Sequence, residues 1–531
     1  MVVKTGYMQG IEAAQRGYLD VEALAGELLA PGSAYAFLAE HRSRLFPDSM
    51  MEDLFPSRRG RPSIPSSVIG TVLVLQALEG LSDRATAEAL TFDLRWKAAC
   101  GFGLTEAAFH PTALVHWRNR LRTSGSPHRI TEAVAQVITA TGVLTGKHRR
   151  AVDSTVFQDA VARQDTITQL IAVIRRFGRV MEHGATLMAV HATSYDYTRV
   201  GKPEIAWDDA EAKEALISGL VTDALALLGA VDPDTLEEGS PEYQAYVLLA
   251  LVSGQDVEPA EGSDGTDGRW RIARKVAPDR IVSTVDTEAR HAHKSRSVMM
   301  DGFKGHIVAE PETGLYTSAV MTKAAGPGSS DADAGIVLLG TDPTMQDADT
   351  DYQVLGDSAY GSGAMLESLD AAGHQGLVKP KPLRPAVPGG YDLDDFTHDE
   401  ARNTLSCPAG EVRTISARGN VNFGTACKAC PLREQCTKAK GGRKVVISKH
   451  HARQRAHRAA AQEPGFRHDY RAFRPLVERS IGWLVAGGNR RLRYRGVEKN
   501  NAWLQQRIGA LNLRRLLNLG LTGHDGTWAI T

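Results

Sequence analysis

The sequence predicts an α/β protein whose strand-bearing core is flanked by helical segments. Three observations carry this expectation. Apolar residues recur at helical spacing through the first 150 residues. Two short apolar runs, Ala151-Val152-Asp153 and Val354-Leu355-Gly356-Asp357, read as buried strands that each deliver an acid. Long helical patterns return near the C-terminus, over Arg467 to Val485 and Ala502 to Leu517. A chain of 531 residues exceeds what one core organises, so roughly two to four domains are expected.

In chain order, Ser67 to Leu78 is a strongly apolar helix opening after Pro65-Ser66. Gly80-Leu81-Ser82-Asp83 breaks it, Arg84 to Leu90 resumes helical spacing, and a further helix starts at Pro111. This order is compatible with a helix-turn-helix, with Arg118 and Arg120 as DNA-contacting candidates and Arg58-Arg59-Gly60-Arg61 as a backbone-contacting loop. Any three-helix domain shares the pattern.

Arg149 to Thr155 reads as a strand with Asp153 near its end. Helices follow at about Val161 to Met181, Asp208 to Leu228 and Pro241 to Val252, and Pro259 to Gly268 is an exposed loop. Strands are expected at Arg280 to Val285, Gly302 to Glu310 and Leu315 to Thr322, the last two joined by the turn Pro311-Glu312-Thr313-Gly314. A helix, Asp331 to Leu339, precedes the strand ending at Asp357, and 361–450 reads as irregular.

The formal net charge is zero, but the charges are segregated. Residues 201–270 hold sixteen Asp or Glu against three Lys or Arg, and residues 438–517 hold twenty Lys or Arg against four acids. The second block is a candidate phosphate-binding surface; a solvated basic face is the alternative. Five cysteines are too few for a secreted disulfide framework, and no apolar run reaches membrane-spanning length. A cytoplasmic protein is expected.

Carboxylates at strand ends sit where α/β sheets bind ligands. Asp153 and Asp357, joined by Glu478 from Arg474-Pro475-Leu476-Val477-Glu478, would repel one another without cations, and hard oxygen ligands suit Mg²⁺. Taken alone, Glu478 is as readily a salt-bridge partner of Arg474 on the same helix face. Cys407, Cys427, Cys430 and Cys436 give C-x19-C-x2-C-x5-C, whose Cys427/Cys430 pair is typical of zinc knuckles and whose four thiolates would complete a one-ion structural zinc site; four reduced, unligated thiols are the alternative, and Cys100 reads as core. His291, His293 and His306 are poor Mg²⁺ ligands and are read as substrate or structural contacts, with Lys294 and Lys304 as phosphate contacts.

The order Asp153-Ser154-Thr155, Gln164-Asp165-Thr166, Asp286-Thr287-Glu288-Ala289-Arg290 with Lys294, Asp301-Gly302-Phe303-Lys304-Gly305-His306, Gly356-Asp357-Ser358-Ala359-Tyr360-Gly361-Ser362, and Arg474 with Glu478 resembles bacterial insertion-sequence transposases of the DDE type. The resemblance runs from about residue 35 to 520 and is nearest to the group numbered eleven eighty-two. It implies an RNase H-like, retroviral-integrase-like mixed-sheet core carrying a helical insertion and a zinc-bearing insertion, preceded by a helical N-terminal domain. The implied domains are 1–145 (helical, DNA-binding), 146–160 with 270–360 (core), 161–269 (acidic helical insertion), 361–450 (cysteine-containing insertion) and 451–531 (basic helical part of the core).

The resemblance further implies that Asp153, Asp357 and Glu478 hold two Mg²⁺ or Mn²⁺ ions. The implied activity is cleavage of element ends and joining of the 3′-OH to target DNA. Its partners would be terminal inverted repeats and target DNA, with a homodimer as the active form. In related enzymes a Tyr, Arg, Glu and Lys signature surrounds the third acid. Here Tyr470 is off register by one residue and Val485 takes the lysine's place, so Arg490, Arg491, Arg493 and Arg495 are expected to supply the phosphate contacts, beside Arg474. A regulator that binds DNA without cutting it, or an RNase H-like nuclease that never joins strands, are the rival expectations.

Overall fold

In the computed structural model, residues 2–4, 9–12, 19–57, 62–275, 277, 279–293, 298–347 and 349–531 are described. The basic stretch Arg58 to Arg61 and Lys294 lie outside them. After a short strand pair and a five-residue helix, Val21–Ala25, the N-terminal part is built on α1 (Ala34–Leu45), α2 (Ser66–Glu79), α3 (Asp83–Phe92), α4 (Leu94–Cys100), α5 (Thr112–Arg122) and α6 (Arg129–Thr141). The break between α2 and α3 is where the sequence puts it: Gly80 caps α2 in the left-handed region, and the Ser82 hydroxyl accepts the Ala85 N–H to start α3. Helix α2 is buried on every side from Ser66 to Ala77, which suits a central core helix.

The sheet has six strands: β1 (Arg149–Gln158), β2 (Arg290–His293), β3 (Met299–Ala309), β4 (Tyr316–Lys323), β5 (Gln353–Gly356) and β6 (Gln375–Val378). The order is β6-β5-β1-β3-β2, with β4 also pairing β3. β1 runs antiparallel to β3 and parallel to β5, and β5 is parallel to β6. β1 is longer than its sequence pattern suggested, so Asp153 is its fifth residue of ten; β1 nevertheless loses its β5 partner after Ala151, which leaves Asp153 just past that edge.

No strand forms at 280–285, contrary to expectation, apart from one bridge between Ile281 and Arg290. The polar groups there are met by side chains instead: the Gln164 carboxamide accepts the Thr284 N–H and hydroxyl, and that of Gln255 accepts the Ile281 N–H.

An acidic helical segment, α7 (Thr166–Val180), α8 (Ala210–Gly229) and α9 (Pro241–Gln255), follows β1 and buries its own cluster around Leu170, Phe177, Leu220 and Leu249. One face of the sheet is covered by α10 (Asp331–Thr341) and α11 (Gly363–Ala371), which pack Leu338, Leu339 and Leu369 with Val152 and Val354. The core therefore continues through β6, beyond the residue 361 at which irregular structure was expected. The cysteine segment forms short two- and three-stranded sheets.

Three helices follow, α12 (His451–Ala460), α13 (Pro464–Val485) and α14 (Val497–Asn518), and a hairpin of Leu521–His524 with Thr527–Ile530 comes after them. On the opposite sheet face, Val477 of α13 packs with Ala151, Leu355 and Leu377, and Leu484 joins Phe157 and α14 residues Leu504 and Ile508. Helix α14 also places Ala510, Leu513 and Leu516 in the cluster of the N-terminal helices. The two ends of the chain thus share one core.

Candidate active site

Alternation along β1 sends Ala151, Asp153, Thr155 and Phe157 to the face covered by α13 and α14. The register Ala151↔Leu355, continued two residues, sets Asp153 beside Asp357; the register Val378↔Gly356, continued one residue, sets Lys379 beside Asp357 on its other side. The Lys379 N–H donates to the Gly356 carbonyl at 3.0 Å, which holds that third strand end in place. Gly356 precedes Asp357 because a Cβ there would stand 3.1 Å from both the Tyr360 Cβ and the Val152 Cγ2.

Asp153 is buried, and burial raises its carboxyl above the ordinary aspartate range. The nearby Asp357 charge acts in the same direction, while Arg474 and the Ser154 N–H partly oppose them. Arg474 Nη2 donates to Asp153 Oδ2 at 3.0 Å, and Ser154 N to Asp153 Oδ1 at 2.8 Å. Asp357 Oδ1 accepts the Ala359 N–H at 2.8 Å. Tyr470, one turn before Arg474, has its hydroxyl pKa raised by burial and by the charges of Asp357 and Asp153.

Glu478 lies on α13 one turn beyond Arg474 and is exposed, with no hydrogen-bond or ion-pair partner among the described residues. No group of three or more His, Cys, Asp or Glu among those residues stands close enough to hold a metal ion. Asp153 and Asp357 are brought together, but Glu478 does not complete a triad in this conformation. The two carboxylates are hard oxygen donors whose charges oppose one another, so as a donor set they fit a divalent cation. Pro475 lies between Arg474 and Glu478 and removes the helix bond that would reach the Arg471 carbonyl.

The expected phosphate-contacting residues meet different fates. Arg474 is spent on Asp153 and is buried, because the acid beside it needs a countercharge. Lys304 donates to Asp331 at 2.8 Å, inside a polar cluster behind β1 where Ser154 Oγ donates to the same carboxylate at 2.5 Å. His306 is fully buried there, and burial pushes its pKa down to about 4, so it is neutral at pH 7. His291 pairs with Asp301 at 2.6 Å.

Arg118 is held by Gln76 and Asp83, and Arg120 donates to the Leu54 carbonyl while lying over Phe55. Both are therefore internal ties of the N-terminal helices. Arg490 donates to Thr155 Oγ1 and the Val156 carbonyl, and Arg493 to the Gly80 carbonyl. Arg491 and Arg495 alone of that group are exposed with no hydrogen-bond or ion-pair partner among the described residues.

The loop carrying these arginines is fastened to the end of β1, where Gln158 exchanges backbone hydrogen bonds with Arg490 and Leu492. Its far end is fastened at Gly496, whose N–H donates to Asp286. Gly496 has φ 81°, and a Cβ there would meet Glu288 Oε2 at 2.8 Å. Asp286 also faces Asp159, whose carboxyl burial and the Asp286 charge push up to about 6. Sequence reasoning passed over Asp159, Asp331 and Lys379, because each is an ordinary charged residue until the sheet brings its partner alongside.

The four clustered cysteines line one pocket with Phe423 and Arg443. Burial raises the Cys436 thiol, and the other three sulfurs add to that shift. All are free thiols, Cys427 accepts the Arg443 N–H, and Cys427 and Cys436 pack as apolar core. With no metal-holding group among the described residues, zinc is not supported. Cys100 is core, as expected.

A family model described as "Transposase DDE domain" matches residues 406–517, and one described as "Transposase domain (DUF772)" matches residues 33–120. Both descriptions are of transposase domains, and each match spans a part of the chain well under half its length. The first covers Arg474 and Glu478, and the second covers α1 to α4 and most of α5. No curated protein and no solved structure matches the chain. Among the described residues, no helix is long and apolar enough to cross a membrane.

Proposed function

We propose that this chain is a DNA transposase that cuts the ends of an insertion sequence and joins the freed 3′-OH to target DNA, acting as a dimer in the cytoplasm. The observation that carries the reading is the parallel register of β1 and β5, which, continued past Ala151 and Leu355, brings Asp153 beside Asp357, with Arg474 of α13 bonded to Asp153. Glu478, one turn beyond Arg474 on α13, is the third carboxylate in this reading. Divalent ions held by such carboxylates activate an attacking oxygen and stabilise the leaving oxygen of a phosphodiester.

The chain's own residues contribute the rest. Burial under α13 excludes water from Asp153, and the Ser154 and Ala359 N–H groups fix the two carboxylates in orientation. Arg474 pairs with Asp153 and partly offsets the cost of burying its carboxylate. Arg491 and Arg495 project at the end of β1 beyond the acids, where they can meet phosphates. The test is cleavage and strand transfer on duplexes carrying the inverted repeats that flank its gene, with Mg²⁺ or Mn²⁺. Nicking and joining by wild type but not by Asp357→Ala supports the reading. Binding without nicking would make the chain a regulator, and nicking without joining a nuclease.

A further inference from the structure

A basic groove opens beside the acid pair, and the proposed function does not use it. One wall is the segment Lys379-Pro380-Lys381-Pro382-Leu383 leaving β6, and the other is formed by α12 and the first turns of α13. Six basic side chains line it: Lys379, Lys381, Arg455, Arg458, Arg467 and Arg471. The acids in its lining are Asp392 and Asp394, and Asp394 is neutralised by a two-pronged pair with Arg458 at 2.6 Å. Arg455 is likewise committed, donating to the Phe396 and Asp394 carbonyls. Lys379, Lys381 and Arg471 are exposed and have no ion-pair partner among the described residues.

Two features separate this groove from an ordinary solvated basic surface. The first is where it starts. Lys379 continues the strand register next to Asp357, and Tyr470, which lines the groove, sits one turn from the Arg474 that grips Asp153. Lys379 and Tyr470 thus set one end of the groove next to the acid pair. The second is rigidity. Lys379 and Lys381 each precede a proline, which holds them in extended backbone and excludes helix. Both lysines are thereby carried on backbone that has little conformational freedom left to lose. A cationic row held in this way loses little entropy when it meets a row of phosphates.

The groove also has an aromatic wall. Phe466 and Tyr470, both half-buried, hold their rings nearly parallel, 9° apart in plane and 6.3 Å between centroids. Ring faces in a cationic groove suit unpaired bases, which stack on them; the bases of a duplex are already stacked on one another.

We infer that this groove binds a single strand of DNA leading away from the scissile phosphate, its backbone along Lys381 and Arg471 and its bases against Phe466 and Tyr470. The inference rests on the transposase reading and adds a subsite to it.

The experiment compares full-length wild type with the double variant Lys381→Ala, Arg471→Ala, both sites being exposed. Anisotropy of a labelled single-stranded oligonucleotide and of the same sequence as a duplex is followed across a salt series. The variant should bind the single strand several-fold more weakly, with a log–log salt slope shallower by about 1.4, from two lost contacts at ~0.7 each. Duplex affinity should change less. An unchanged single-strand affinity and slope overturns the inference, and so does an equal or larger loss on the duplex. Metal-dependent nicking by wild type is scored separately: its absence sinks the transposase reading, whereas its presence with an unaltered variant sinks only the groove.

Discussion

Arg474 Nη2 stands 3.0 Å from Asp153 Oδ2, joining two residues 321 positions apart in the interior of the protein. Their side chains are only 10% and 12% exposed, so neither charge is met by bulk water. A buried pair of this kind contributes little over an apolar pair, but removing one partner strands the other. Arg474→Met should therefore cost on the order of 3 kcal/mol of stability. In Arg474→Met combined with Asp153→Asn, the combined loss should fall short of the sum of the single losses by at least about 1 kcal/mol. Denaturant unfolding of the four proteins measures this, and simple additivity would refute the pairing.

Asp357→Ala and Glu478→Gln should each abolish metal-dependent nicking while leaving duplex affinity within about twofold of wild type, because phosphate affinity comes from basic groups. Glu478 is exposed and unpaired among the described residues, so its substitution should leave the melting temperature unchanged. Normal nicking by Glu478→Gln would remove it from the proposed triad and leave the two aspartates.

The Asp159 carboxyl, pushed up to about 6 by burial and by Asp286, makes stability depend on pH. Its folded pKa lies above its unfolded value near 3.8, so the folded state holds the proton more tightly. Asp159 consequently lowers stability as pH rises from about 4 through about 6, and the full cost is present above that. Asp159→Asn keeps an oxygen for the Ala160 N–H and offers Asp286 a donor. It should raise the melting temperature at pH 8 and lose that advantage at pH 4. The same gain at both values would disprove the shared-charge account.

Native protein treated with iodoacetamide should be modified at Cys407 and Cys430, which are partly exposed, before Cys427 and Cys436, which are buried. Cys100 should react only on unfolding, since burial raises its thiol above its ordinary value. Mass spectrometry of timed digests gives the order. Protection of all four clustered cysteines that a chelator lifts would restore the zinc expectation.

Arg491→Ala with Arg495→Ala should weaken duplex binding and flatten its salt slope by roughly 2, at about one counterion per phosphate contact. Arg490→Ala should instead destabilise the loop, because its guanidinium is already bonded to Thr155 and Val156. Superimposable salt plots for the Arg491 and Arg495 pair would exclude a phosphate role.

The sequence alone determined the features that follow from local chemistry. Apolar spacing and the Gly80 to Asp83 break located α2 and α3 to within two residues, and the run ending in Asp357 located β5. These are legible because helix and strand periods and turn residues act over a few positions. The acids Asp153 and Asp357 could be singled out because each closes an apolar run. Whether they meet was decided by the tertiary structure, since parallel pairing of β1 with β5 links segments some 200 residues apart, a separation read from Ala151 and Leu355. The roles of Arg118, Lys304 and Arg474 were likewise decided there. A lone basic residue reads as a phosphate contact in sequence, yet each is consumed by an acid that packing brings alongside: Asp83, Asp331 and Asp153. The charge of a residue belongs to the sequence, but whether that charge remains free for a ligand depends on which partner the fold places within hydrogen-bonding distance.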